Sequence, residues 1–193
     1  MQALLNAIRL IAKPVDAQRI FHGRGGLFPG CEHLALDAFP PVFLLTAFAP
    51  ISCDELAQVH DALAERWSLL APGQPLNWVF QRRDGQRTET RLMAGTVPDP
   101  HVVTEDGARY AVHLLQGQNH GLFLDMAGGR RWVHNQAAGQ KVLNLFAYTC
   151  SFSVAALNGG SKPGVNLALS ARTARPGPPP HSAQNHASPA FPA

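Results

Sequence analysis

The chain has 193 residues, 46% of them hydrophobic, with a net charge of +3 and a pI near 9.0. That length fits one ordinary domain or two small ones, and no stretch reaches the roughly 20 uninterrupted apolar residues of a membrane span. Three isolated cysteines, Cys31, Cys53 and Cys150, argue against a disulfide framework or a zinc site, and the nine histidines form no metal-ligand cluster.

Residues 1–38 read as a short helix followed by loop. Leu4, Leu5, Ile8 and Ile11 make one apolar stripe, with no basic start or small-residue cleavage site to mark a signal peptide, so a cytoplasmic location is the expectation. Pro41 to Phe48 is an apolar run of strand formers, and Ser52 with Glu55 forms a capping box. Leu56, Val59, Leu63, Trp67 and Leu70 then follow at helical spacing up to Pro72-Gly73. Leu76–Gln81 and Thr88–Met93 predict one hairpin, and His101–Glu105 and Arg109–Leu115 a second around Asp106-Gly107. Residues 39–120 thus read as an α+β module. Its basic group, Arg82, Arg83, Arg87 and Arg91, is diluted by Asp84 and Glu89, which suits either solvated surface or RNA contact.

The pattern changes near Gly121. Lys141 to Tyr148 is a strand with little alternation, as expected when both faces are covered. Thr149-Cys150-Ser151 is a short turn, Phe152 to Leu157 a helix stopped by Asn158-Gly159-Gly160, and Val165 to Leu169 a second strand. Residues 121–170 therefore open a βαβ unit of a doubly wound fold, making the chain α/β in class. A ligand of such a fold sits at the first turn, where Thr149 or Ser151 could cap the helix or a cofactor could approach the backbone. No Gly-x-Gly-x-x-Gly is present, which counts against a dehydrogenase. Residues 171–193 hold six of the 16 prolines and read as a disordered tail, and no acid follows Asp125.

Gly121-Leu-Phe-Leu-Asp125, Arg130-Arg-Trp-Val133 and Val142 through Ala156 resemble the entry to the cofactor domain of class I S-adenosylmethionine-dependent methyltransferases. That family includes the 23S ribosomal RNA enzymes acting on cytosine C5 or guanine. Phe21-His-Gly-Arg-Gly25, Pro29 to His33 and Phe39 to Val42 resemble its upstream segment. The resemblance implies an accessory module followed by the opening βαβ of a Rossmann-like methyltransferase sheet. It also implies a site for S-adenosylmethionine and RNA, ribosomal in the intact enzyme, as substrate; the residue spacing above adds the expectation of no metal and no membrane. The cofactor role falls on Asn144, Phe146, Tyr148, Thr149, Ser151 and Phe152, with Asp125 beside them; Phe146 and Phe152 also suit a core, and Asp125 an ion pair with Arg130 or Arg131.

The departures from the family matter too. Met126-Ala-Gly-Gly stands where relatives place an arginine soon after the Leu-Asp pair, and Ala168 stands where they carry the acid that holds the ribose hydroxyls. Loss of that charge-assisted pair costs about 1.5–3 kcal/mol. No Asn/Asp-Pro-Pro motif follows the second strand, and Cys150, at the cofactor turn, is a poor nucleophile candidate. The expectation is a C-terminally truncated or frameshifted, inactive methyltransferase. A non-catalytic RNA- or partner-binding module is the alternative.

Overall fold

A computed structural model describes residues 1–85, 88–145 and 147–167, which fall into two units.

The first unit comprises Met1–His101 and His113–His120. Five strands, β1 (Gln18–His22), β2 (Leu34–Phe39), β3 (Val42–Ala47), β4 (Asn77–Arg82) and β5 (Glu89–Ala94), lie side by side in chain order. All neighbours are antiparallel except β3 and β4, which are parallel and joined through helix α2 (Cys53–Leu70). This crossover is not apparent from the sequence, where Leu76–Gln81 suggests only a hairpin with Thr88–Met93. Residues 1–38, expected as helix and loop, also hold β1 and all but the last residue of β2. β2 is buried at every position, so it lacks the alternation that flags a strand.

α2 begins where the capping box places it. The Ser52 hydroxyl accepts from the Glu55 N–H at 3.1 Å, and the Glu55 carboxylate accepts from the Ser52 N–H at 2.9 Å. Its apolar stripe, Leu56, Val59, Leu63 and Trp67, packs with Leu4 and Ile8 of helix α1 (Gln2–Arg9) and with Phe43, Leu45, Trp78 and Phe80 of the sheet. Each such side chain contributes about 1.5–3 kcal/mol of burial. The indole N–H groups find acceptors, Trp67 on the Pro75 carbonyl at 3.0 Å and Trp78 on His60 Nδ1 at 3.1 Å. On the opposite face Gln81 is wholly buried and donates to the Gly117 carbonyl at 2.9 Å and the Thr90 hydroxyl at 3.0 Å.

The second unit holds Val102–Val112 and the chain from Gly121 onward. Strands β6 (His101–Glu105) and β7 (Ala108–Val112) form the expected hairpin, turning at Asp106-Gly107, both with positive φ. Helix α3 (Ala127–Gln136) is tied to it by Arg130, whose guanidinium meets Glu105 in two bonds of 2.6 and 2.7 Å while only 2% exposed. Strand β8 (Lys141–Leu145), helix α4 (Ser151–Asn158) and strand β9 (Lys162–Leu167) complete a βαβ unit with β8 and β9 parallel. β9 starts three residues before the expected Val165, since Lys162 already pairs with Lys141. β8 is not covered on both faces as expected: Leu143 and Leu145 are 63% and 53% exposed. Residues 168–193, including Ala168 and the proline-rich tail, lie outside the described residues, as does Arg87.

Among the described residues no helix is long and apolar enough to cross a membrane, and no group of three or more His, Cys, Asp or Glu could hold a metal ion.

Candidate cofactor site

β8 stops at Leu145 and α4 starts at Ser151, so the chain reverses within a few residues at the carboxyl end of a parallel strand pair. Two residues there, Tyr148 (φ 46°) and Cys150 (φ 61°), sit in the left-handed region, which costs about 1–2 kcal/mol for each L-residue. Such a turn persists only when its surroundings over-determine it. Three bonds do so. The Cys150 N–H donates to the Ala147 carbonyl at 2.6 Å, the Ala147 N–H to Leu167 of β9 at 2.8 Å, and the Thr149 hydroxyl to the Gly121 carbonyl at 2.6 Å.

Gly121 makes the last of these contacts possible. Its φ is 101°, and a Cβ there would lie 2.7 Å from the Ala111 carbonyl oxygen of β7. Only glycine lets the chain pass β7 this closely and present its carbonyl to the turn.

Neither Thr149 nor Ser151 caps α4, contrary to expectation. Cys150 occupies the N-cap position without a side-chain cap bond, Thr149 is committed to Gly121, and Ser151 is already the buried first helical residue. The first helical bond runs from the Val154 N–H to the Cys150 carbonyl at 3.0 Å. The N–H groups of Ser151, Phe152 and Ser153 therefore lack intrahelical acceptors and carry the positive end of the helix dipole.

Asn144 lies half-buried on β8 and donates to the Ser153 hydroxyl at 2.8 Å; that hydroxyl donates in turn to Asn166 of β9. This relay joins both strands to the first turn of α4. Asn144 is among the cofactor residues the resemblance implies; Ser153 and Asn166 are not. The available signal was an asparagine at the same register of each strand, Asn144 opposite Asn166.

The Tyr148 ring stands 5.4 Å from that of Phe123, centroid to centroid, so the segment after Gly121 adjoins the turn. Asp125 follows in a 3-10 turn, Leu124–Met126, with its side chain exposed. It does not pair with Arg130 or Arg131: the first is taken by Glu105, the second by Asp106 at 3.2 Å. Asp125 is the one carboxylate of this unit outside an arginine pair among the described residues.

Phe152 is half-buried, with its ring against α3: a Cβ on Gly129 would sit 3.4 Å from it. Helix packing accounts for that position. Phe146 lies outside the described residues. Burial pushes the Cys150 thiol and the Tyr148 phenol above their ordinary pKa values. The thiol therefore stays protonated at neutral pH, the wrong form for a nucleophile. The geometry suits binding of an anionic or polar ligand at a strand end.

A family model described as S-adenosylmethionine-dependent methyltransferase matches residues 18–188, and the chain belongs to that family. Its fold is accordingly mixed α/β, the second unit being Rossmann-like. Over 167 residues, 83% of this chain and 39% of the relative, it is 29% identical to the ribosomal RNA large subunit methyltransferase of Deinococcus radiodurans. It is 42% identical over 116 residues, 60% of this chain and 32% of the relative, to ribosomal RNA large subunit methyltransferase K of Neisseria meningitidis serogroup B. The crystal structure of SMU.776 complexed with SAH matches it with a TM-score of 0.65 at 27% identity, covering 84% of this chain and 40% of that one. The chain spans well under half the length of the curated relatives it matches, 11% to 39% in the first three.

Proposed function

We propose that this chain binds S-adenosylmethionine at the β8–α4 turn and belongs to the machinery that methylates ribosomal RNA, which would place it in the cytoplasm. The observation that carries the reading is the uncapped N-terminus of α4, held by a strained, cross-braced turn at the carboxyl end of two parallel strands. Membership of the family, an SAH complex among similar structures and two relatives named for ribosomal RNA support it.

The N–H groups of Ser151, Phe152 and Ser153, which have no intrahelical acceptor, would complement the cofactor's carboxylate. Asn144, Tyr148, Thr149 and Phe152, with Phe146 from the sequence, would shape the pocket, and Asp125 is the acid available beside it for a hydroxyl or ammonium group. Bound S-adenosylmethionine supplies an electrophilic methyl; the protein's share is alignment and exclusion of water. Residues 39–120 would face the RNA and 121–170 would begin the cofactor domain. The finer reading is of a form that turns over little by itself. Its support is the sequence: Ala168 stands where relatives carry the acid that holds the ribose hydroxyls.

Calorimetric titration of the full chain with S-adenosylmethionine and SAH tests the site. Saturable binding is expected, weakened about tenfold by Thr149→Val, which removes the hydroxyl that braces the turn. An absence of binding to either ligand would remove the cofactor reading. A tritiated-methyl assay on ribosomal RNA should show little or no transfer, and ordinary turnover would overturn the inactive-form reading. RNA binding with no response to S-adenosylmethionine would favour a non-catalytic RNA-binding module.

A further inference from the structure

The loops at one end of the five-stranded sheet gather a basic cluster different from the one visible in the sequence. β3 runs antiparallel to β2 and parallel to β4, so the end of β1, the start of β2 and the ends of β3 and β4 share that edge. Arg82 and Arg91 are neutralised there by Asp84 and Glu89, at 3.2–3.5 Å. Arg83 points into a different network, donating to Gln81, the Gln118 carbonyl and His120 Nε2. Arg19 is held on Asp37 by two bonds of 2.8 and 3.2 Å.

Arg24 is the exception. It is exposed, has no carboxylate partner among the described residues, and lies over the half-buried Phe48 ring with its guanidinium carbon 4.1 Å from the centroid. Arg83 stands 6.0 Å from the same ring. The loop carrying Arg24 is fixed in place: a Cβ on Gly23 would fall 1.7 Å from the Cys31 carbonyl oxygen, so the chain can turn tightly only with glycine there. Leu27, on the same loop, is exposed as well.

We propose that Arg24 seated on Phe48, flanked by Arg19 and Arg83, is a contact for single-stranded RNA, an inference that rests on the RNA reading above. A guanidinium already laid on an aromatic ring offers a flat cationic face to an unstacked base, and its edge donors remain available to a phosphate. Arg24 and Arg83, neither paired with a carboxylate among the described residues, supply the positive charge that attracts the backbone. An acidic protein would use the charge without needing the ring; the pairing of arginine with an aromatic side chain favours a base.

The test is fluorescence anisotropy with a labelled 20-nucleotide single-stranded RNA and the full chain, across 50–200 mM NaCl. Arg24→Gln should weaken binding about five- to twentyfold and lower the salt slope by about one. Phe48→Leu should weaken it about threefold or more without changing the slope, and Phe48→Tyr, which keeps an aromatic ring under Arg24, should bind as the parent does. Arg9→Gln, an exposed change on α1, should be silent. If the parent binds RNA and Arg24→Gln and Phe48→Leu bind equally well, this surface is refuted and the RNA reading stands. If the parent binds no RNA, both fall. Competition by polyglutamate as effective as that by RNA would also overturn the proposal, in favour of an acidic protein partner.

Discussion

Strands β3 and β8 are both rich in Val and Leu, yet every residue of β3 is buried while β8 alternates between exposed and half-buried. The difference lies in their neighbours. β3 is third of five strands, with α1 and α2 on one face and, on the other, the segment carrying His120, whose ring is 6.3 Å from that of Phe39. Among the described residues β8 has one strand partner, β9, and the side chains of Leu143, Leu145, Val165 and Leu167 are all more than half exposed. Apolar sequence made both segments strands; only surrounding structure makes a strand a core. The first unit is therefore expected to derive its stability from packing, and the second from polar ties: the Arg130–Glu105 pair and the bonds of the β8–α4 turn.

Several experiments could break this contrast. The largest loss should follow Phe80→Ala in the first unit, about 3–5 kcal/mol in urea denaturation followed by circular dichroism. In the second unit Glu105→Ala should cost about 3 kcal/mol or more, read as lost hydrogen-exchange protection in α3, because it strands a buried guanidinium. Replacing both partners, Glu105→Leu with Arg130→Met, should recover much of that loss. If Glu105→Ala is neutral, the polar account of this unit fails.

The first unit should also weaken in acid. Burial holds His120 at about 4, below its ordinary 6.5, with the positive Arg83 adding to the effect. Its neutral Nδ1–H suits the His113 carbonyl at 3.3 Å, leaving Nε2 to accept from Arg83 at 3.0 Å. Below pH 6.5 the unfolded chain takes up a proton that the folded one refuses. Stability is thus full above about 6.5, falls by up to about 3 kcal/mol as the pH drops to about 4, and falls no further from this cause. His120→Gln should flatten that stretch of the pH–stability profile. Smaller still, Ser52→Ala should cost about 1 kcal/mol by removing the α2 cap. Smallest, Leu145→Ala should change stability by less than about 0.5 kcal/mol; a loss near that of Phe80→Ala would erase the contrast between the two strands.

What could be read from the sequence was local. The α2 cap, its apolar stripe, the two hairpins and the β8–α4–β9 unit all follow from spacing and turn chemistry within a few residues. β1 and β2 lie in a stretch with no alternation to reveal them, and the parallel pairing of β3 with β4 is a contact between residues 35 apart, as in Val42 with Asn77. At the site, the resemblance located the turn but not its internal bonds. That Thr149 braces Gly121 instead of capping α4 depends on the chain passing close to β7, which no spacing within the turn encodes. The arginine group shows the same limit. Arg82, Arg83 and Arg91 are near in sequence, whereas Arg24, Phe48 and Arg83 meet only through the sheet.

The central claim is that the cofactor is received by the β8–α4 turn. Its most direct test is to record amide nitrogen–proton spectra of the ¹⁵N-labelled full chain during titration with SAH. The account expects saturable shifts at Tyr148 through Ser153 and at Gly121, with the β3 and β4 amides unmoved. Shifts confined to the five-stranded sheet, or none at all at saturating ligand, would contradict it.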